Sequence, residues 1–489
     1  MKTGLARILK RGGILLALVL FTILAVRTWD KQRGPPLEPW HTHAPPELAG
    51  GELRDADWDA WLAAEDAAFA DVRENVTAVL EGAARNPANR YFDGSPLHAA
   101  RFAHDWNRTY VLEPAGAPAG AVVLLHGLTD SPYSLRHVAE HYRGRGWLAV
   151  GIRLPAHGTV PAALARVDWQ DWMAATRLAV REARRRAGPA VPLHVVGYSN
   201  GGALAVKYAL DALEDPALAM PERIVLLSPM IGVTAFARFA GVLGWPAVIP
   251  AFAKAAWLGI EPEYNPFKYN SFPVNGARQS SLLSRALQAQ LVDAADAGRL
   301  AGLPPVVTFQ SVVDATVSVD AIVAALYAHL PANGSELVLF DINRQAKFGL
   351  VLRPGSADAL ARLLPAESRR YRTTVIANAD ADTADVVERV TEPGGVASSL
   401  RPTGLQYPFG VFSLSHVAVP FPVTDGLYGL APDPGEDFGI RLGALALRGE
   451  RGVLITSQEA LTRLQSNPFF PYLLSRIDEG IVASAPARP

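Results

Sequence analysis

The feature that most constrains the fold is one serine set between glycines where a strand meets a helix. Residues 195–202 read VVGYSNGG, and the first two of them end an apolar run at 193–196 that is typical of a buried strand. Residues 203–213 then place apolar side chains on one helical face. A Gly-x-Ser-x-Gly motif in this setting predicts a tight turn that presents Ser199 at the end of the strand. Side chains at Gly197 or Gly201 would collide with neighbouring backbone in such a turn.

Strands and helices alternate on both sides of this motif. Apolar runs typical of strands lie at 110–112, 121–125, 147–152, 193–196, 223–227, 304–310 and 336–340. Most of them are joined by amphipathic or turn-rich segments. Helical patterns lie at 132–145, 169–186, 203–213 and 319–330. This alternation predicts an α/β fold with a mostly parallel central sheet and helices on both faces.

Two segments interrupt the alternation. Residues 234–303 are apolar, aromatic and irregular, and because they lie between two sheet strands we expect a mostly helical cap over the site. Residues 342–410 form a second insertion, with a strand predicted at 373–377. Beyond it, the pattern predicts a loop at 428–438, a short strand at 453–455 and a helical tail at 467–477.

The N-terminus has the composition of a signal anchor. Lys2, Arg7, Lys10 and Arg11 precede an apolar run over residues 12–26. No small-x-small cleavage site is evident, so we expect an uncleaved membrane anchor, with a cleaved signal peptide or a buried core helix as alternatives. The positive-inside rule places the bulk of the protein on the non-cytoplasmic side, and the protein is secreted if the segment is cleaved.

The segment between the anchor and the first predicted strand divides into two parts. Residues 34–47 are rich in proline and predict a semi-rigid spacer, in which His41 and His43 are expected to be solvated rather than metal ligands. Asp55 or Asp57 is expected to cap an amphipathic helix that extends to about residue 80. This helix is predicted to pack on the main domain, with a membrane-surface position as the alternative.

These observations predict an order of units along the chain. They are an anchor at 1–30, a linker with the amphipathic helix at 31–105, a first core part at 106–233, the cap at 234–303 and a second core part at 304–489.

Composition excludes several classes of function. The formal net charge is −1, and no long basic run occurs beyond the N-terminus, which argues against a nucleic-acid partner. The chain has no cysteine, so disulfides, thiolate metal sites and a cysteine nucleophile are excluded. We expect no metal and no cofactor.

A serine nucleophile needs a histidine base, and the histidine needs a carboxylate that fixes its tautomer. In folds of this kind the three arrive in the order Ser, Asp, His. The histidines after Ser199 are His329, which is expected to be structural within a helix, and His416, which lies in a loop and is the predicted base. Asp314 follows the strand at 304–310 and is the predicted carboxylate, with Asp341 as its rival.

The tetrahedral oxyanion needs two backbone donors. The N–H of Asn200, directly after the serine, is one candidate, and the N–H of Leu128, in the loop after the strand at 121–125, is the other. His126 and His157 each precede a glycine, and both are predicted to organise their loops rather than to act as bases.

The chain resembles members of the α/β-hydrolase superfamily, in the branch of monoglyceride lipases, lysophospholipases and carboxylesterases. The resembling motifs are His126-Gly127-Leu128, Leu154-Pro155-Ala156-His157-Gly158, Gly197-Tyr198-Ser199-Asn200-Gly201, Asp314 and His416. The resemblance implies the α/β-hydrolase fold, a Ser199–Asp314–His416 triad, an oxyanion hole from Leu128 and Asn200, and ester hydrolysis without a cofactor. In the family the histidine follows the aspartate more closely than the 102 residues (416 − 314) that separate them here, a gap explained if the insertion at 342–410 loops out.

The predicted function is that of a membrane-anchored serine hydrolase that cleaves a small-molecule carboxylic ester, acyl or lipid-like, through an acyl-enzyme. A serine peptidase or amidase on the same triad is one alternative, and a catalytically silent binding module is another. Dehalogenase or epoxide hydrolase chemistry would require an aspartate at position 199 and is not expected. The sequence does not predict an oligomeric state.

Overall fold

The structure of the chain is a computed structural model that describes residues 2–232, 244–345, 353–365, 367–446 and 453–484. The side chains of residues 2–9, 245, 248, 354 and 357 lie outside this description. The side chains of Lys2 and Arg7, the beginning of the predicted cap and part of the predicted second insertion are therefore outside the described residues.

Twelve strands are present in the described residues. They are β1 (Tyr110–Leu112), β2 (Gly120–Leu125), β3 (Trp147–Ile152), β4 (Leu193–Tyr198), β5 (Arg223–Leu227), β6 (Trp257–Gly259), β7 (Phe272–Pro273), β8 (Val306–Ser311), β9 (Glu336–Phe340), β10 (Arg372–Asn378), β11 (Asp385–Thr391) and β12 (Ser398–Gln406).

The helices of the described residues surround these strands. The α-helices are α1 (Lys2–Gln32), α2 (Pro39–Thr42), α3 (Gly50–Asp55), α4 (Trp58–Val72), α5 (Arg136–Gly144), α6 (Trp169–Ala187), α7 (Asn200–Glu214), α8 (Val274–Asp296), α9 (Val319–Ala321), α10 (Pro354–Ala357), α11 (Ala359–Leu363), α12 (Gln458–Thr462) and α13 (Phe470–Ser484). Short 3-10 helices include Pro132–Leu135, Trp245–Val248 and Pro250–Ala256, and single π-helical turns lie at Arg73–Thr77 and Ile322–Tyr327.

The predicted parallel sheet is confirmed. Ten strands form one sheet in the order β1-β3-β2-β4-β5-β8-β9-β10-β11-β12, and every neighbouring pair from β3 to β10 is parallel. β1 runs antiparallel to β3 at one edge. Because the central strands are parallel, their carboxyl ends lie at one edge of the sheet, where open α/β sheets place their ligand sites.

Hydrophobic cores lie on both faces of this sheet. Alternate residues of a strand point to opposite faces, so Val123 of β2 packs with α6 and α7, whereas Val122 packs with α5 and α13. All six residues of β2, β3 and β4 are buried. Burial on both faces explains why these strands are continuous apolar runs in the sequence.

The segment predicted as a second insertion extends the sheet, and the expectation that it loops out is wrong. β10 pairs parallel with β9, as the predicted strand at 373–377 allows, and β11 and β12 then add antiparallel strands at the edge. Sequence reasoning missed β12 because most of its residues are exposed and it contains Pro402 and Gly404, which are uncommon in strands. The separation between Asp314 and His416 therefore includes four strands of the central sheet, β9 to β12.

The proline-rich segment at 34–47, predicted as a semi-rigid spacer, packs on the main domain. The Trp40 ring stacks on Tyr91 with 5.5 Å between the ring centroids. The buried guanidinium of Arg153, which follows β3, contacts Glu47 at 3.0 Å and Glu65 of α4 at 2.9 Å. These ion pairs fix the segment before β1 to the core, and α4 packs its apolar face inward as predicted.

The cap and the C-terminal region differ in part from expectation. Beyond residue 243 the cap contains 3-10 helices, the β6–β7 hairpin and α8, so it is helical only in part. Residues 453–455 form bends, and the strand predicted there is wrong. The predicted helical tail is present as α13.

One helix of the described residues, Lys10–Gln32, is long and apolar enough to cross a membrane. Its 23 residues extend about 35 Å, slightly more than the hydrocarbon core of a bilayer. Its apolar side chains face outward, and Leu16 and Phe21 are 70% and 69% exposed. A helix of this kind fits either a membrane anchor or a signal sequence.

Candidate active site

Ser199 occupies a strained turn between β4 and α7, as the glycine pattern predicts. Its φ is 53° and its ψ is −114°, a conformation that costs a non-glycine residue about 1–3 kcal/mol. A side chain at Gly197 would overlap the carbonyl of Gly201, and one at Gly201 would overlap the carbonyl of Leu125. Hydrogen bonds hold the turn, since the Ser199 N–H donates to Leu227 O at 3.0 Å and its carbonyl accepts from Met230 N at 2.9 Å.

Asp314 and His416 are paired in spite of their separation along the chain. The Nδ1 of His416 lies 2.8 Å from the Oδ2 of Asp314, and both side chains are buried. Asp314 stands in the turn after β8, where its Oδ1 accepts from the backbone N–H groups of Thr316 at 2.7 Å and Val317 at 3.1 Å. Its Oδ2 also accepts from Nε2 of Gln310 at 3.0 Å.

These contacts set the charge state of Asp314. Burial by itself raises the pKa of the carboxyl, but the charge of His416 and the hydrogen bonds from His416, Gln310 and Thr316 outweigh it. The pKa of Asp314 is therefore held below its ordinary value. A carboxylate that stays ionised can accept a hydrogen bond from Nδ1–H of His416 and so leave Nε2 free to act as a base.

The loop that carries His416 contacts the turn that carries Ser199. The ring of Tyr198, the residue before the serine, lies 5.4 Å from the His416 ring, and the Tyr198 hydroxyl donates to His416 O at 3.4 Å. The Ser415 hydroxyl donates to Arg463 O at 2.7 Å. Ser199 and His416 line one cavity. The structure brings the predicted nucleophile, base and carboxylate together at one edge of the sheet.

The two predicted oxyanion donors lie at the same place. A side chain at Gly127 would stand only 3.2 Å from Ser199 Cβ, so the backbone of this loop lies directly beside the serine. Leu128 lines the cavity, and its N–H donates no hydrogen bond to another described group. Asn200 is the first residue of α7, so its N–H is one of those that a helix leaves free at its N-terminus. Their assignment to an oxyanion hole stays a prediction.

The cavity has a volume of about 520 Å³, within the range of small-molecule sites. The cap supplies much of its wall, including Leu258 of β6, Phe272 of β7 and Tyr269 between them. Two cationic side chains, Lys268 and Arg463, also line it, whereas none of the described lining residues is acidic. Sequence reasoning did not identify Lys268, Arg463, Gln310 or Tyr198. Gln310 alone carried a signal, as a polar residue at the end of an apolar strand.

His126 and His157 are neutral, structural histidines, as predicted. Nδ1 of His126 lies 2.9 Å from Gly127 O, and its Nε2 accepts from Leu154 N at 3.0 Å, so the ring joins the loop after β2 to the loop after β3. Burial lowers the pKa of His126 well below its usual range. Burial likewise lowers the pKa of His157 to about 3, although a hydrogen bond to Pro155 opposes this. Neither ring is therefore protonated near neutral pH.

The remaining histidines and the rival aspartate lie elsewhere. His41 was expected to be solvated, which is wrong, because it is buried with Nε2 2.9 Å from Ser271 Oγ. His43 is partly exposed and pairs with Asp71. His329 lies in the turn just after the helical residues end at Tyr327, so its predicted position inside a helix is wrong.

Asp341 follows β9 and contacts Arg344 at 3.3 Å rather than His416. Among the described residues, no cluster of three or more His, Asp or Glu side chains is placed to hold a metal ion.

Comparisons with known proteins agree with this architecture. Residues 116–330 match the family model described as Hydrolase_4, serine aminopeptidase, S33. A thermostable monoacylglycerol lipase from Bacillus sp. (strain H-257) is 34% identical over 92 residues, which are 19% of this chain and 35% of the relative. The chain thus matches about a third of the length of that curated relative.

Solved structures of similar chains include lipases and esterases. A monoacylglycerol lipase from Paleococcus ferrophilus is 15% identical with a TM-score of 0.36, covering 52% of this chain and 96% of that one. A monoglyceride lipase from Saccharomyces cerevisiae is 14% identical with a TM-score of 0.35, covering 47% and 80%. A metagenome-derived lipolytic enzyme is 22% identical with a TM-score of 0.38, covering 48% and 88%.

Proposed function

We propose that this chain, which has the α/β-hydrolase fold and belongs to the α/β-hydrolase superfamily, is a membrane-anchored serine hydrolase that cleaves carboxylic esters through an acyl-enzyme. One observation carries the proposal. The imidazole of His416 is bound through Nδ1 to the buried carboxylate of Asp314 at 2.8 Å, and it lines the same cavity as Ser199. Because Nδ1 is engaged, Nε2 is the nitrogen that can accept the serine proton.

The reaction then follows from the positions of these groups. Ser199 Oγ attacks the ester carbonyl while its proton passes to Nε2 of His416, and the charge on the resulting imidazolium is stabilised by Asp314. The tetrahedral intermediate collapses as Nε2 returns the proton to the leaving alcohol. A water molecule then gives a proton to Nε2 as it attacks the acyl-enzyme. The second tetrahedral intermediate collapses as Nε2 passes that proton to Oγ of Ser199, which releases the acid and restores both Ser199 and neutral His416.

Two backbone N–H groups support the step that develops negative charge. The loop at Gly127 lies within contact of Ser199, and α7 directs its N-terminus at the same point, so Leu128 and Asn200 can donate to the oxyanion. Such donors contribute about 3–4 kcal/mol each in serine hydrolases, since removing one costs roughly 10²–10³ in kcat.

The cavity walls favour an acyl or lipid-like ester. Leu128, Met230, Leu258 and Phe272 present apolar surface beside the serine, and these residues come from four separate segments of the core and the cap. The partial match to a monoacylglycerol lipase is consistent with a substrate of this class. The exposed apolar surface of α1 supports the membrane-anchored part of the proposal.

A serine aminopeptidase is the second candidate, because that is the description of the matching family model. The charge of the cavity disfavours it. An aminopeptidase must bind a cationic α-amino group, for which an acidic side chain is the complementary partner. The described lining residues instead include the cations Lys268 and Arg463. We therefore propose esters rather than amides as the preferred substrates.

The test is covalent labelling combined with turnover. A fluorophosphonate probe should modify Ser199, and Ser199→Ala should lose both labelling and hydrolysis of p-nitrophenyl esters of graded chain length. Ser228→Ala is the matched control, because Ser228 is also a buried serine at positive φ, 44°, but does not line the cavity. Failure of the probe to label the wild-type protein would favour the silent binding module. Faster cleavage of aminoacyl amides than of esters would favour the peptidase.

The membrane assignment has its own measurement. The anchored form should stay in the membrane pellet after carbonate extraction and retain residues 1–30 in its intact mass. Release into the supernatant with a shortened N-terminus would identify a cleaved signal peptide instead.

A further inference from the structure

The end of α1 is joined to the wall of the catalytic cavity. Arg27 donates from its two terminal nitrogens to Ala255 O at 3.0 Å and to Trp257 O at 2.9 Å. Lys31 donates to Leu258 O at 2.7 Å. Trp257 and Leu258 belong to β6, and Leu258 lines the cavity that contains Ser199. The last turns of the apolar helix therefore contact the backbone of a strand whose side chain faces the candidate site.

Side chains of both α1 and the cap contribute to this contact. From the cap, Nζ of Lys254 donates to Gly34 O at 2.9 Å and to Gln32 O at 3.3 Å. From α1, the Gln32 side chain donates to Ala251 O. We call the bonds of Arg27, Lys31, Gln32 and Lys254 the anchor clamp. These bonds join side chains to backbone carbonyls. Those of Arg27, Lys31 and Gln32 hold the path of the cap backbone, and those of Lys254 hold the backbone at the end of α1.

The chain just after the clamp holds the second strand of the hairpin. Nε2 of His41 lies 2.9 Å from the Oγ of Ser271, and the His41 ring meets Trp257 edge-on at 4.9 Å. Ser271 precedes Phe272 of β7, which also lines the cavity. The segment that leaves the anchor thus contacts both strands of the β6–β7 hairpin, through His41, nine residues (41 − 32) after the end of α1.

The clamp lies where α1 would leave a bilayer. Basic and aromatic side chains mark the membrane interface in spanning helices, and here Arg27, Trp29 and Lys31 follow the apolar run directly. In the adjoining part of the cap, Ile249 is 53% exposed. Where α1 spans a bilayer, its bonds to β6 hold the β6–β7 hairpin next to the membrane interface.

We propose that the anchor clamp orients the catalytic cavity toward the bilayer surface, so that the enzyme takes membrane-resident acyl esters directly from the lipid phase. The proposal rests on the proposed ester hydrolase function and on an uncleaved α1. In it, Arg27 and Lys31 are positioning residues that act through the hairpin backbone and do not touch the substrate. Arg27 and Lys31 affect the hydrolysis of esters that reside in a membrane. Hydrolysis of short soluble esters, which enter the cavity from water, does not depend on these two residues.

The test compares two substrates on the full chain reconstituted in phosphatidylcholine vesicles. One is 1-oleoylglycerol carried in the vesicles, and the other is the soluble p-nitrophenyl butyrate. In Arg27→Gln/Lys31→Gln, hydrolysis of the vesicle substrate should fall by about tenfold, the scale expected when several hydrogen bonds that fix one orientation are lost together. Hydrolysis of the soluble ester should stay at the wild-type rate.

Arg33→Gln is the matched control, since Arg33 is a neighbouring basic residue that stacks on Trp29 and makes none of the clamp bonds. A second variant keeps every clamp residue and places a flexible Gly/Ser insertion between Val26 and Arg27, which frees the domain from the apolar span. In this variant, too, hydrolysis of the vesicle substrate should fall while hydrolysis of the soluble ester stays at the wild-type rate. An equal fall in the hydrolysis of both substrates by the clamp variant, or no fall in either, would overturn the proposal. Absence of soluble ester hydrolysis in the wild-type protein would instead refute the proposed function.

Discussion

The exchange of Asp314 for asparagine tests whether this carboxylate serves His416. The Oδ1 of Asp314 accepts from two backbone N–H groups, those of Thr316 and Val317. In Asp314→Asn the amide oxygen must stay at this position, because an NH2 group there would face two donors. The amide nitrogen is therefore forced into the Oδ2 position, 2.8 Å from Nδ1 of His416. Nδ1 can then only accept a hydrogen bond, so the proton moves to Nε2.

The consequence is an imidazole in the wrong tautomer. With Nε2 protonated, His416 cannot take the proton of Ser199, and the positive charge formed during attack also loses its carboxylate partner. Loss of the carboxylate in this way costs about 10⁴-fold in kcat in triads of this kind, or about 5 kcal/mol of transition-state stabilisation. The change conserves size and keeps the backbone hydrogen bonds to Oδ1, but the amide nitrogen cannot accept the hydrogen bond that Nε2 of Gln310 gives to Oδ2. The melting temperature should therefore fall modestly, by the equivalent of about 1–2 kcal/mol.

The assay is the kcat for p-nitrophenyl butyrate, measured with the melting temperature of each variant. Asp341→Asn is the matched control, because Asp341 also follows a sheet strand but pairs with Arg344, and it should keep wild-type turnover. A retained rate in Asp314→Asn, or a large loss in Asp341→Asn alone, would refute the assignment of the carboxylate.

Three further changes test the scaffold around the site. Gly201→Ala should abolish folding or activity, because the added methyl group overlaps the Leu125 carbonyl, and the yield of soluble enzyme reports this. Asp425→Ala removes the 2.6 Å partner of the buried Arg136, which keeps Glu436 at 2.7 Å, and should lower the unfolding free energy by about 3 kcal/mol in denaturant titration, the lower end for a broken buried ion pair. The folded-state pKa of His157 is about 3, below its ordinary value of 6.5. Between these values the unfolded chain binds a proton that the folded chain does not, so His157 lowers stability as pH falls, by about 1.4 kcal/mol per unit. The melting temperature of His157→Gln should therefore depend less on pH between 6 and 4.

The central sheet could be predicted because its strands are buried on both faces. Continuous apolar runs fixed the positions of β2 to β5, β8 and β9, and the glycines around Ser199 identified the turn without knowledge of its neighbours. Asp314 could be selected by chain order and by its position after a strand, and His416 by chain order and its position in a loop. Their pairing was implied only by the family resemblance and could not be derived from the residues themselves, because 102 residues separate them and the strands β10 to β12 lie in the interval.

The features that escaped prediction depend on contacts distant in sequence. His41 looked like a solvated histidine in a proline-rich stretch, but its partner Ser271 lies 230 positions away. The bonds from Arg27 and Lys31 go to backbone carbonyls, which carry no sequence signal. β12 has neither apolar alternation nor burial, so its pairing with β11 was not visible either.

The most direct test of the account is a double-mutant comparison of the nucleophile and the base. The kcat values of Ser199→Ala, His416→Ala and the combined variant are measured on one soluble ester. If Ser199 and His416 act as one unit, each single variant loses most of the rate and the combined variant is about as slow as either. Losses that multiply in the combined variant, or a His416→Ala enzyme that keeps its rate, would contradict the proposed catalytic unit.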